Sequence, residues 1–154
     1  MPAITSAQYE AIGRLAMATN DIDDYLDALL DHFLSTKIAL VGRVCLGETR
    51  FVGDKHRLLR VIIRELANKF AAIQPFATPV NSTLDEVKAL LDQRNRIIHG
   101  KVIIGPGKTV SIESPQAVAH ATPEQITALA TKAASLMDDL VGQCSDILEA
   151  VGLL

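Results

Sequence analysis

Apolar residues recur every three or four positions along several stretches of the chain, and Gly, Pro and small polar residues mark the breaks. The first stretch lines up Tyr9, Ile12, Leu15, Ala16, Ile22, Leu26, Leu29, Leu30 and Phe33. Ahead of it, Thr5-Ser6-Ala7-Gln8 has the form of a capping box, a hydroxyl followed three residues later by an amide side chain. This spacing predicts a helix from Thr5 to about Leu34. Ser35–Leu46 reads as a short helix or an extension of the first, and Gly47–Gly53 as a connection. Asp54 then caps a helix over about Lys55–Ala72, with Leu58, Leu59, Ile62, Ile63, Leu66 and Phe70 as its apolar face. Pro75, Pro79 and Asn81 make Ile73–Ser82 a loop.

A second capping box, Thr83-Leu84-Asp85-Glu86, opens a helix that Gly100 closes. Its stripe is Leu84, Val87, Leu90, Leu91, Ile97 and Ile98. Lys101–Ile104 and Lys108–Glu113 are β-rich runs on either side of Gly105-Pro106-Gly107, the pattern of a hairpin. Ser114–Ala121 connects to Thr122-Pro123-Glu124-Gln125, which combines a cap, a proline at the first helical position and an amide at the third. The last helix runs to about Val151, burying Ile126, Leu129, Ala133, Leu136, Met137, Leu140, Val141, Cys144, Ile147 and Leu148. The fold class expected is all-α: a single domain built as an up-and-down bundle of four to five helices, with a short β-hairpin between the last two.

Composition changes this picture little. A chain of 154 residues suits one domain, and 49% hydrophobic residues argue against disorder. Aromatics are only 4%, so Leu, Ile, Val and Ala must build the core. No apolar run reaches the ~18 residues of a membrane span. Met1-Pro2-Ala3-Ile4-Thr5 lacks a basic region followed by an apolar stretch, which makes the cytoplasm the expected location. Cys45 and Cys144 read as reduced core thiols, and no Cys/His cluster has zinc spacing, so neither a metal nor another cofactor is expected.

Charge adds detail. The net charge of −3 argues against indiscriminate binding to a nucleic-acid backbone. Yet Arg50, Lys55, Arg57, Arg60, Arg64 and Lys69 crowd the middle of the chain, and Arg94, Arg96, Lys101 and Lys108 follow. They read either as a solvated face or as a local phosphate-attracting surface. His56, in the first turn of its helix, reads as an exposed histidine whose charged form the helix dipole disfavours.

The candidate chemistry lies at the end of the third long helix. Arg94 falls within an apolar stripe, a costly place for a guanidinium without a partner. Asp23, on the edge of the first helix's stripe, is either that partner or a surface aspartate. Asn95 and His99 are four residues apart and so share a flank of the helix. His99 sits among the last carbonyls, which favour its protonated form. Arg96 reads as facing solvent or as touching a substrate.

Arg94-Asn95-Arg96-Ile97-Ile98-His99, followed by Gly100, resembles the Arg-Asn-x-x-x-His signature of the HEPN superfamily of small helical domains. The helical layout resembles that family over most of the chain, but only this segment is motif-specific. The resemblance implies a homodimer whose Arg94, Asn95 and His99 line a cleft between protomers. It also implies metal-independent endoribonuclease activity, with a toxin or defence effector and its cognate antitoxin as one setting. In such a reaction the 2′-hydroxyl attacks phosphorus, leaving a 2′,3′-cyclic phosphate. His99 would transfer protons, Arg94 would hold the phosphorane oxygens with its planar fork, and Asn95 would orient His99 or the scissile phosphate. A single histidine is few for two proton transfers, and a twofold pairing of chains would supply the second. The alternative for the same residues is structural: a non-catalytic helical dimer acting as an adaptor, a regulator or a nucleotide- or RNA-binding module.

Overall fold

The computed structural model describes residues 5–35, 52–98, 101–104, 110–113 and 121–152, with the backbone alone at 34–35, 52–54, 98, 101–104 and 110–113. Its helices are α1 (Ser6–Ser35), α2 (Val52–Lys69), α3 (Gln74–Ile98) and α4 (Pro123–Ala150), with a 3-10 turn at Ala71–Ile73 between α2 and α3. The expectations for 36–51, for Gly100 as a cap and for 114–120 lie outside the described residues.

The start signals of α1 and α4 are satisfied reciprocally. The Thr5 backbone N–H donates to Gln8 Oε1 at 2.9 Å, and the Gln8 N–H returns to Thr5 Oγ1 at 3.2 Å. At α4 the Thr122 N–H reaches Gln125 Oε1 at 2.9 Å and the Gln125 N–H reaches Thr122 Oγ1 at 3.3 Å. Each pair satisfies two backbone or cap groups that the helix itself leaves without partners. α4 ends where Gly152 takes φ +68°, a left-handed cap that disfavours a side chain.

The loop expected at Ile73–Ser82 is corrected to helix. α3 begins at Gln74 and runs through Pro79. Pro75 is tolerated because the first N–H groups of a helix have no partner within it. Pro79 costs a backbone hydrogen bond, about 3 kcal/mol. Continuing the helix buries Val80, Thr83 and Leu84, and that burial outweighs it. Thr83, expected as a cap, is a buried mid-helix residue. α2 likewise starts at Val52, ahead of the expected Asp54 cap, and stops at Lys69.

The expected fold class needs a further correction. Wherever side chains are described, every regular element is helical, so the interpretable fold is all-α and no β-hairpin is part of it. Among the described residues, strand backbone occurs at Lys101–Ile104 (β1) and Val110–Glu113 (β2), antiparallel with Lys101 opposite Glu113 and Ile104 opposite Val110. The Gly105-Pro106-Gly107 turn lies outside the described residues. An isolated two-stranded ribbon is marginal in water, and the core that is described is built from helices alone.

Contacts divide the chain into two compact units, Met1–Asn20 with Ala89–Ser135, and Asp21–Lys88 with Leu136–Leu154. In the first, Ala11, Leu15 and Ile126 form a buried cluster covered by Ile12, Ile97, Ala121, Leu129 and Ala130. Thr19, on the apolar side of α1, is buried because its hydroxyl donates back to the Leu15 carbonyl at 2.8 Å. In the second, Ile22, Leu26 and Leu30 of α1, Leu59 and Ile63 of α2, Val80 and Leu84 of α3, and Leu140 and Ile147 of α4 are fully buried. Each such side chain contributes about 1.5–3 kcal/mol. Tyr9, Phe70 and Val141, expected on buried faces, are exposed.

Candidate functional site

Arg94 and Asn95 lie in the last turns of α3, which is anchored by buried Leu90 and by Ile97 packed on the Ala11–Leu15–Ile126 cluster. Arg94 is half-buried, and its Nη1 donates to Asn95 Oδ1 at 3.0 Å. Asn95 and Arg96 are exposed. Two of the three candidate residues therefore touch, at a helix end, with one of them open to solvent. His99 lies outside the described residues. An arginine fork held beside an amide can recognise a phosphate or carboxylate in two-point fashion, because its donors are planar and permanently charged.

Asp23 has a different role from the one anticipated. Lys55 Nζ donates to Asp23 Oδ1 and to Asp27 Oδ2, both at 2.7 Å. The lysine side chain is 7% exposed, against 34% and 51% for the two aspartates. Burial works against the ammonium charge, but the hydrogen bonds and charges of Asp23 and Asp27 outweigh it and hold Lys55 above its usual value. This triad ties α1 to the first turn of α2. The signal available in the sequence was the Asp23/Asp27 pair at i, i+4 beside an apolar stripe.

His56 is also corrected. It is 5% exposed rather than a surface group. Burial, first, and then the nearby charges of Arg60 and Lys88 push its imidazole down, against a hydrogen bond to the Leu84 backbone and the charge of Asp85. Its Nε2 is buried with no hydrogen-bond partner among the described residues.

The basic run in the middle of the chain does not act as one surface. Arg60 grips α3: Nη1 and Nη2 meet Asp85 at 2.8 and 2.9 Å, Nε donates to Asn81 Oδ1 at 3.3 Å and Nη2 to its carbonyl at 3.4 Å. Lys55 is buried in its triad. Arg57, Arg64 and Lys69 remain exposed.

Cys144 is buried and free, and burial pushes its thiol up to about 12, which makes it inert at neutral pH. Tyr25 is also pushed up to about 12, by burial and then by Cys144. Among the described residues no group of His, Cys, Asp and Glu could hold a metal ion, and no helix is long and apolar enough to cross a membrane. No protein-family model, curated protein or solved structure matches the chain.

Proposed function

We propose that this protein is a metal-independent endoribonuclease of the HEPN type, with Arg94, Asn95 and His99 as its catalytic residues. The observation that supports the reading most directly is the half-buried Arg94 joined to exposed Asn95 at the end of α3. Arg94 neutralises the phosphorane, His99 moves protons at the 2′- and 5′-oxygens, and Asn95 orients the guanidinium. A homodimer supplies a second His99. Such an activity would suit a toxin or defence effector restrained by a cognate antitoxin.

The test is incubation of the purified chain with mixed RNA in EDTA. Cleavage leaving 2′,3′-cyclic ends, lost in His99→Ala, supports the proposal. RNA left intact across a broad range of substrates at high protein concentration overturns it.

A second reading, a non-catalytic helical dimer serving as an adaptor or regulatory module, draws on the net charge of −3 and on the structural engagement of Lys55 and Arg60. It prevails if Arg94→Ala and His99→Ala dissociate a dimer while the parent protein cleaves nothing.

A further inference from the structure

His56 combines features that no role described above uses. It lies near the start of α2 and is 5% exposed. One ring nitrogen, Nε2, is buried with no hydrogen-bond partner among the described residues, so Nδ1 is the nitrogen engaged with the Leu84 backbone of α3. A neutral imidazole accommodates this arrangement, because an unprotonated Nε2 has only a lone pair to leave unsatisfied. An imidazolium does not, because its second N–H would be a buried donor carrying charge.

Among the described residues, the charged groups acting on the ring are Arg60 on its own helix and Asp85 and Lys88 on α3. Two of the three are cations and oppose a further positive charge. Asp85 is the only carboxylate among them, and each of its oxygens already accepts from Arg60, at 2.8 and 2.9 Å. A proton arriving at Nε2 therefore has two outlets. Asp85 turns toward the imidazolium and loosens its two-point hold on Arg60, or the ring leaves its pocket and abandons Leu84. Either move weakens a contact that holds α2 on α3.

We propose that His56 is an acid-operated latch between α2 and α3, closed while the imidazole is neutral and released when Nε2 takes a proton. The sign follows from linkage. The unfolded or opened chain binds the proton near the ordinary imidazole value of about 6.5, and the closed form resists it to lower pH. The latch is thus fully stabilising above that value and weakens as pH falls below it. Within the window the opening constant rises about tenfold per pH unit, because one more proton is bound in the open form.

The experiment compares the full chain with His56→Gln, which is polar, neutral and able to keep a hydrogen bond to Leu84. Amide hydrogen exchange across residues 56–66 and 79–88 is followed from about pH 7.5 to about 4.5, a range that brackets the ordinary imidazole value, and corrected for the intrinsic pH dependence of exchange. The parent should open about tenfold more per pH unit below the imidazole range, and His56→Gln should show little such rise. Equal acid responses of the two proteins overturn the proposal, since the other histidines and the carboxylates are shared. Should His56→Gln fail to fold, the imidazole resonances of His56 in the parent decide: titration at or above the ordinary histidine value overturns the latch, and titration below it, accompanied by shifts in Asp85 and Arg60, supports it.

Discussion

Two guanidiniums on or against α3 sit in contrasting settings. Arg60 reaches α3 from α2 and commits its donors to Asp85 and Asn81, in a setting that also contains buried His56. Arg94, about two turns beyond buried Val87, is half-buried and meets an exposed amide on its own helix. In the Arg60 region charge braces one helix against another, as it does where Lys55 bridges Asp23 and Asp27. In the Arg94 region a planar donor array is held at a helix end beside a group open to water. The lesson is that a basic residue on an apolar flank carries no meaning alone. Its burial and the groups packed around it give it its character.

The contrast can be broken by mutation. The largest effect is expected at Arg94→Ala, which should lower RNA cleavage about 100-fold or more while circular dichroism and melting change little, since it removes stabilisation of the phosphorane. A variant that melts far below the parent would move Arg94 into the bracing class. Lys55→Ala should do the reverse. It leaves Asp23 and Asp27 facing each other and should cost about 2 kcal/mol in urea unfolding, a value discounted for the exposure of the two aspartates, with cleavage per folded molecule unchanged. Because Lys55 is held above its usual value, its contribution is complete at neutral pH and disappears only as pH rises through the folded value, above 10.5. The smallest effect is expected at Thr122→Ala, about 1 kcal/mol from loss of the reciprocal cap of α4, read as a lower thermal midpoint.

The features legible in the sequence were those written within a few residues of one another. The caps at Thr5 and Thr122 need only a hydroxyl and an amide three positions apart, and both form as expected. The contact between Arg94 and Asn95 is equally local, although the sequence pattern sets Asn95 beside His99 instead. Features that depend on a distant partner were misread. Lys55 meets Asp23 across 32 positions, and nothing in either neighbourhood names the other. His56 looks exposed until α3 is packed against it. Pro75 and Pro79 read as loop residues because local propensity omits the burial gained by Val80 and Leu84 when the helix continues. Tyr9 and Val141 fit the period of their helices but fall outside the width of the face that is covered.

Pro79 within α3 has a mechanical consequence. Lacking an N–H, it leaves the carbonyl one turn earlier, at Pro75, without its helical donor. Pro75 cannot serve Ala71 either, and the Ala71 carbonyl takes the Gln74 N–H through the tighter 3-10 turn instead. The opening turn of α3 is therefore stitched by fewer backbone bonds than the turns after Val80, and unravelling has its easiest starting point there. A tear begun at Gln74 would run forward only until it met buried Val80, so the far end of the helix, where Arg94 sits, is insulated from fraying at the near end.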